Sequence, residues 1–221
     1  MDGFTTKTPK RPGLDYLHGE AAPDHGGMME ITPQIQWIRM SLPFSLKFIN
    51  VWLVDDGDGW TIIDTGMPLK ETRDAWTEIL GSRVTPEKPL KRGIVTHMHP
   101  DHIGQAGWLC REHRVPLYMS FGEYISSRVF SSMGQGDLEW TTERYFQNAG
   151  IPADVIEKMR NKFRGFGNIV EPMPKAYQRL RDGQTLKIGG RRWQVMTGSG
   201  HSPEHVSLFS ADDKLLLSGD Q

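Results

Sequence analysis

The sequence predicts a mixed α/β protein with sheets flanked by helices. Three observations carry that reading. Short segments rich in β-branched and aromatic residues alternate with helical patterns over residues 35–120. β pattern returns over residues 184–220, after a stretch with none. At 221 residues the chain is long enough to bury a full hydrophobic core.

Residues 1–30 are polar and rich in Pro and Gly, without a signal-peptide core, and are expected to form an exposed arm before a domain over 31–221. "IQWIRM" (Ile35–Met40) and "FINVWLVDD" (Phe48–Asp56) read as strands. "DDGDG" supplies a tight turn into a third strand, "WTIID" (Trp60–Asp64). Pro68 stands where a first helical turn tolerates proline. Leu69, Ala75, Trp76, Ile79 and Leu80 then share a helical face that ends at Gly81. "RGIVTH" is a short apolar strand, "IGQAGWLCREH" a helix, and "VPLYMS" another strand. Three helices with Gly and Pro between them fill an insert over about 121–176. Gln184–Gly198 reads as a hairpin around Gly189 and Gly190, followed by "HVSLFS" and "KLLLSGD".

Composition excludes several classes. A net charge of −1, with 26 basic against 27 acidic residues, disfavours nucleic acid as a partner. The lone Cys110 rules out an internal disulfide and a cysteine-rich zinc module. No apolar run approaches the roughly 20 residues of a membrane span, so a soluble cytoplasmic protein is the default expectation.

The chemistry lies in "VTHMHPDHIG", which places three histidines and an aspartate within six positions directly after an apolar strand. Alternation along an extended chain points His97 and His99 to one side, where both can grip one ion. Asp101 and His102 fall where the chain turns into a helix and point elsewhere, which suits a second, adjacent ion. Imidazole and carboxylate without thiolate favour Zn2+, with Fe or Mn as alternatives.

"THMHPDHIG" resembles the His-x-His-x-Asp-His signature of the metallo-β-lactamase superfamily. "NVWLVDDGDGWTIIDTG" resembles that family's early hairpin, "GSGHSPEH" the loop with its third histidine, and "LLLSGDQ" the strand ending in its bridging aspartate. The resemblance implies an αββα sandwich and a metal-dependent hydrolase. It implies a first ion held by His97, His99 and His201, and a second held by Asp101 and His102, with Asp220 bridging. Asp64 and His205 would steady the ligands without binding metal. His18, His25 and His113 are expected to be non-ligands. The family adds a further histidine downstream of the strand bearing Asp220, and more strands and helices. The chain is therefore expected to be the N-terminal part of a longer protein, its exposed half-sandwich covered by another segment or in a homodimer.

In that arrangement a hydroxide held between two ions is a nucleophile near neutral pH, and Asp101 can orient it and move its proton. The implied substrate is an activated ester: a thioester, lactone or phosphoester. The lactamases best known in the family place a cysteine in the second site, whereas His102 and Asp220 fit a glyoxalase II-like pattern. Ten Lys or Arg against two acidic residues between Lys158 and Arg192 suggest a basic rim for a small anionic substrate. Lys162 and Arg164 stand for that rim; Phe163, Phe166 and Trp140 are expected to pack in the core, with apolar lid contacts as the alternative. Two other readings compete: an iron persulfide dioxygenase using His97, His201 and Asp220, and a non-catalytic binding domain.

Overall fold

The computed structural model describes residues 12–19, 21–132, 140–162 and 169–221, with the backbone alone at 160–162. Phe163, Arg164 and Phe166 lie outside the described residues, as does the side chain of Lys162. Eleven strands and six helices are described. The strands are β1 (Met28–Thr32), β2 (Ile35–Ser41), β3 (Phe48–Asp55), β4 (Trp60–Ile63), β5 (Leu90–Ile94), β6 (Leu117–Ser120), β7 (Gln178–Leu180), β8 (Thr185–Ile188), β9 (Arg191–Gly198), β10 (His205–Ser210) and β11 (Leu215–Leu217). The helices are α1 (Lys70–Arg83), α2 (Pro100–Ile103), α3 (Ala106–His113), α4 (Phe121–Ser132), α5 (Trp140–Asn148) and α6 (Ala153–Lys162).

These strands form two sheets, one of seven strands in the order β1 to β7 and one of four in the order β11-β10-β9-β8. The first is antiparallel from β1 to β4 and parallel from β4 to β7, so β4, β5 and β6 send their loops to the same edge. The second is antiparallel throughout.

Alternation sorts the side chains into layers. Ile35, Val54, Ile63, Ile94 and Leu180 of the first sheet meet Leu186, Ile188, Trp193, Val195, Val206, Leu208 and Leu217 of the second in one buried cluster. On the outer face of the large sheet, Ile38, Met40, Leu53 and Ile62 pack with Trp76, Ile79 and Leu80 of α1 and Leu109 of α3. Fully burying a side chain of this size contributes about 1.5–3 kcal/mol. The outward positions of the small sheet, among them Lys187, Arg192, Gln194, Met196 and Leu216, are exposed.

Four details differ from the sequence reading. β1 lies partly within the stretch expected to be an exposed arm, and its pairing with β2 begins at Met28. His25 packs there too, its Nδ1 accepting the Ser41 N–H at 2.9 Å. α1 runs through Gly81 to Arg83, because the buried Ile79 and Leu80 hold that turn on the sheet. The segment from Ile103 to His113 is two helices, not one, with a break at Gly104 and Gln105. β7 carried no strand pattern; it pairs with β6 and buries Leu180 between the sheets.

Asp56 joins the sheets at the end away from the histidines. Its carboxylate accepts hydrogen bonds from the Gly189 N–H at 2.8 Å, Thr61 Oγ at 3.1 Å and Arg92 Nη2 at 2.5 Å. Gly189 has φ +62°, and any β-carbon there would collide with the Asp55 carbonyl, so the β8–β9 turn requires glycine. Burial alone would raise the Asp56 pKa, but the Gly189 amide and the Arg92 guanidinium outweigh it and hold it below the ordinary 3.8. A lowered carboxylate pKa stabilises the fold above pH 3.8 and loses that effect as pH falls through the folded value. Asp56→Asn should therefore cost about 1–3 kcal/mol at pH 7 by chemical denaturation, and the gap from the parent should narrow as pH falls below 3.8.

Candidate metal centre

The strand ends converge at the opposite edge. β4 delivers Asp64, β5 runs into Thr96 and His97, and α2 carries Asp101 and His102. His201 follows β9 and Asp220 follows β11. Hydrogen bonds from the Val206 N–H to the Thr96 carbonyl at 2.8 Å, and from Ser120 Oγ to the Glu204 carbonyl at 2.6 Å, fasten the two sheets here. This is the carboxyl edge of the parallel strands, where open α/β sheets place their ligand sites.

Asp64 organises this edge. It is buried and left-handed, with φ +59°. Its Oδ1 accepts the Thr96 N–H at 2.8 Å, and its Oδ2 accepts Thr96 Oγ–H at 2.8 Å and His102 Nδ1–H at 2.8 Å. Since Thr96 Oγ–H is donated to Asp64, Thr96 Oγ accepts from His97 Nδ1–H, 3.0 Å away. Both imidazoles thus carry their protons on Nδ1 and turn Nε2 inward.

The inward nitrogens form a tight group. His97 Nε2 lies 2.9 Å from His99 Nδ1 and 3.1 Å from His201 Nε2, and the last two are 2.9 Å apart. On the other side His102 Nε2 lies 3.3 Å from Asp220 Oδ1 and 3.8 Å from Asp101 Oδ2, while Asp220 Oδ2 is 3.5 Å from His201 Nε2. Among the described residues, two sets of three ligand atoms can hold an ion: His97, His99 and His201, and His97, His102 and Asp220. Asp220 touches both sets, one oxygen toward each.

This donor set fits a cation on three counts. Three nitrogen atoms at contact distance repel through their lone pairs unless positive charge lies between them. His102 Nε2 is buried without an aligned hydrogen-bond partner. Imidazole and carboxylate donors match the first-row divalent metals. The electrostatics agree. Burial, reinforced by the neighbouring His102 and His99, holds His97 neutral with a strongly lowered pKa, and burial also lowers His99. Burial opposes charge on His102 as well, yet Asp64, Asp220 and Asp101 raise its pKa to about 10. His102, its Nε2 3.3 Å from the Asp220 carboxylate, lowers the Asp220 pKa against burial. The field that favours a proton on His102 equally favours a metal cation in its place.

Of the residues singled out in the sequence, His97, His99, His102, His201 and Asp220 supply the two sets, whereas Asp101 belongs to neither and lies 3.8 Å from His102 Nε2; Asp64 and His205 stand behind them. His205 is buried, and its Nε2 accepts the Asp220 N–H at 3.2 Å, bracing the aspartate from its backbone. Gly219 has φ +55°, and a β-carbon there would lie 2.7 Å from His205 Nε2, so this approach requires glycine. His18, His25 and His113 are in neither ligand set; His25 is held by Ser41 and Glu71, and His113 ends α3. Trp140 is largely exposed on α5 and is no core residue. Two participants were not anticipated. Thr96 could have been suspected from its place before the first histidine. Glu123 carried no local signal at all.

Residues 45–221 match the metallo-beta-lactamase superfamily. The chain is 28% identical over 195 residues to the probable metallo-hydrolase YqjP of Bacillus subtilis, covering 86% of this chain and 57% of that protein. It is 26% identical to the human acyl-coenzyme A thioesterase MBLAC2, covering 84% of this chain and 62% of the relative. Among solved structures, a beta-lactamase domain protein from Burkholderia ambifaria superposes with a TM-score of 0.74 at 37% identity, covering 93% of this chain and 57% of that one. The chain thus spans about three fifths of the length of these relatives. Together with the two facing sheets and the histidine-rich edge, the match over residues 45–221 makes this chain a member of the metallo-beta-lactamase superfamily.

Proposed function

We propose that this chain carries the metal centre of a hydrolase acting on activated esters, with acyl thioesters as the preferred class. The observation that carries the reading is the convergence of His97, His99, His201, His102 and Asp220 in two overlapping ligand sets, with Asp101 Oδ2 3.8 Å from His102 Nε2. Similarity to an acyl-coenzyme A thioesterase favours thioesters over lactones and phosphoesters. Zn2+ would suit these donors: His97, His99 and His201 would hold one ion and Asp101 and His102 a second, with Asp220 serving both, the glyoxalase II-like pattern.

Bound divalent cations would supply Lewis acidity and lower the pKa of water to about 7. The residues do the rest. His102 and His97 are pre-oriented through Asp64 and Thr96, so little reorganisation accompanies loading. The side chains of His201 and Asp220 are about a third exposed. Asp101, attached to α2 and facing His102, is placed to accept and return the proton that moves during hydrolysis. Asp220 spans the two sets and fixes their separation.

Protein stripped by a chelator should lose acyl-coenzyme A hydrolysis and regain it with Zn2+. His97→Ala or Asp101→Ala should lower kcat/KM by at least about 10²-fold, within the usual range for losing a general acid–base group or a ligand. One bound iron with oxygen consumption, and no ester hydrolysis, contradicts the reading and favours the dioxygenase.

The Thr96 relay has its own test. Thr96→Val removes the acceptor for His97 Nδ1–H and should weaken Zn2+ binding about 10–100-fold, as outer partners of ligating histidines do. Thr96→Ser, which keeps the hydroxyl, should restore most of it. Equal affinity in Thr96→Val and the parent, by competition with a chelator, would show that the relay does not set the ligand.

A further inference from the structure

We infer that Glu123, on the first turn of α4, is a positioning residue that holds the two ligand-bearing loops of the first ion in register and ties the helical insert to the metal centre. The inference rests on the metal centre proposed above and extends it to a residue outside the histidine motif.

Glu123 is fully buried. A buried carboxylate is costly unless its oxygens accept several hydrogen bonds. Here Oε2 accepts the Met98 N–H at 2.8 Å, and Oε1 accepts Ser202 Oγ–H at 2.7 Å and the Glu204 N–H at 2.7 Å. Met98 sits between His97 and His99, and Ser202 follows His201. Each carboxylate oxygen therefore grips one ligand loop, and all three donors adjoin or lie close to the ligands in sequence. Among the described residues this carboxylate makes no hydrogen bond to its own helix and no ion pair with a lysine or arginine.

The grip is returned. Glu204 Oε2 accepts the Gly122 N–H at 2.5 Å, at the start of α4. Any β-carbon on Gly122 would come within 2.9 Å of the Glu204 Cβ, so glycine lets the helix and the loop approach. Helix and loop thus clasp one another through neighbouring pairs, Gly122 with Glu204 and Glu123 with Ser202 and Glu204. A carboxylate is an acceptor at every site, and glutamine is not. If its oxygen faced Ser202 and Glu204, its amide would oppose the Met98 N–H, donor against donor. The Glu123 charge also lies near His99, where it favours positive charge.

Zn2+ and Co2+ titrations of the parent, Glu123→Gln, Ser202→Ala, Ser127→Ala and His97→Ala test this, with affinity read by chelator competition and ligand geometry by the visible Co2+ spectrum. Melting of each metal-free variant is followed alongside. Glu123→Gln should bind about 10–100-fold more weakly with an altered Co2+ spectrum, the range seen for outer partners of metal ligands. Ser202→Ala, which removes one donor of three, should show a smaller loss of the same kind. Ser127→Ala removes a buried hydroxyl of α4 that donates to the Tyr124 carbonyl and touches neither loop. It should lower the melting temperature with affinity unchanged.

Parent affinity in Glu123→Gln overturns the inference, even if that variant melts earlier, and so does an equal loss in Ser127→Ala. Should Glu123→Gln fail to fold, unchanged affinity and spectrum in Ser202→Ala overturn it instead. A parent that binds no metal, or a His97→Ala that binds as tightly as the parent, fails the metal centre itself and takes the inference with it. That failure is recognised without reference to Glu123.

Discussion

The carboxylate of Asp64 is the constraint on which the rest of this edge depends. It is buried, sits in a left-handed conformation that costs a non-glycine residue about 1–3 kcal/mol, and is held by three donors from the histidine loop. Those donors offset the burial of its charge, and in accepting them Asp64 decides where protons lie on two imidazoles. Remove it, and His102 loses the partner of its Nδ1, Thr96 is free to rotate, and His97 loses its relay. Trp76 Nε1–H donates to the carbonyl of neighbouring Thr65 at 2.8 Å, so the same turn is anchored into the core beneath α1. Strain at the site is thus secured by packing outside it.

Much of the architecture was legible because it follows from local rules. The two-residue turn at Gly189 and Gly190, the alternation in β9 and the helical face of α1 each express a short-range periodicity. The histidine cluster was legible for a different reason. Alternation predicted a shared side for His97 and His99, and their ring nitrogens do meet at 2.9 Å. His201 and Asp220 entered only through the resemblance, since nothing local marks a histidine about a hundred residues away as a neighbour of His97.

What stayed hidden depends on distant partners. β7 is three residues long and exists because β6 offers it a ladder. β1 reads as loop until its pairing with β2 is known. Glu123 falls in an amphipathic helix where a glutamate would ordinarily face water, and its donors lie 25, 79 and 81 positions away. His25, in a stretch that looked detached, is fixed on both ring nitrogens, by the Ser41 N–H and the Glu71 carbonyl.

The account comes down to whether the inward-facing nitrogens share an ion. Anomalous scattering from a crystal of the Zn2+-soaked protein answers this directly. The account predicts a zinc peak at about 2.0–2.1 Å from His97 Nε2, His99 Nδ1 and His201 Nε2 together. A zinc-soaked crystal with no peak among these three nitrogens, or with its peaks only on surface residues elsewhere, would contradict it.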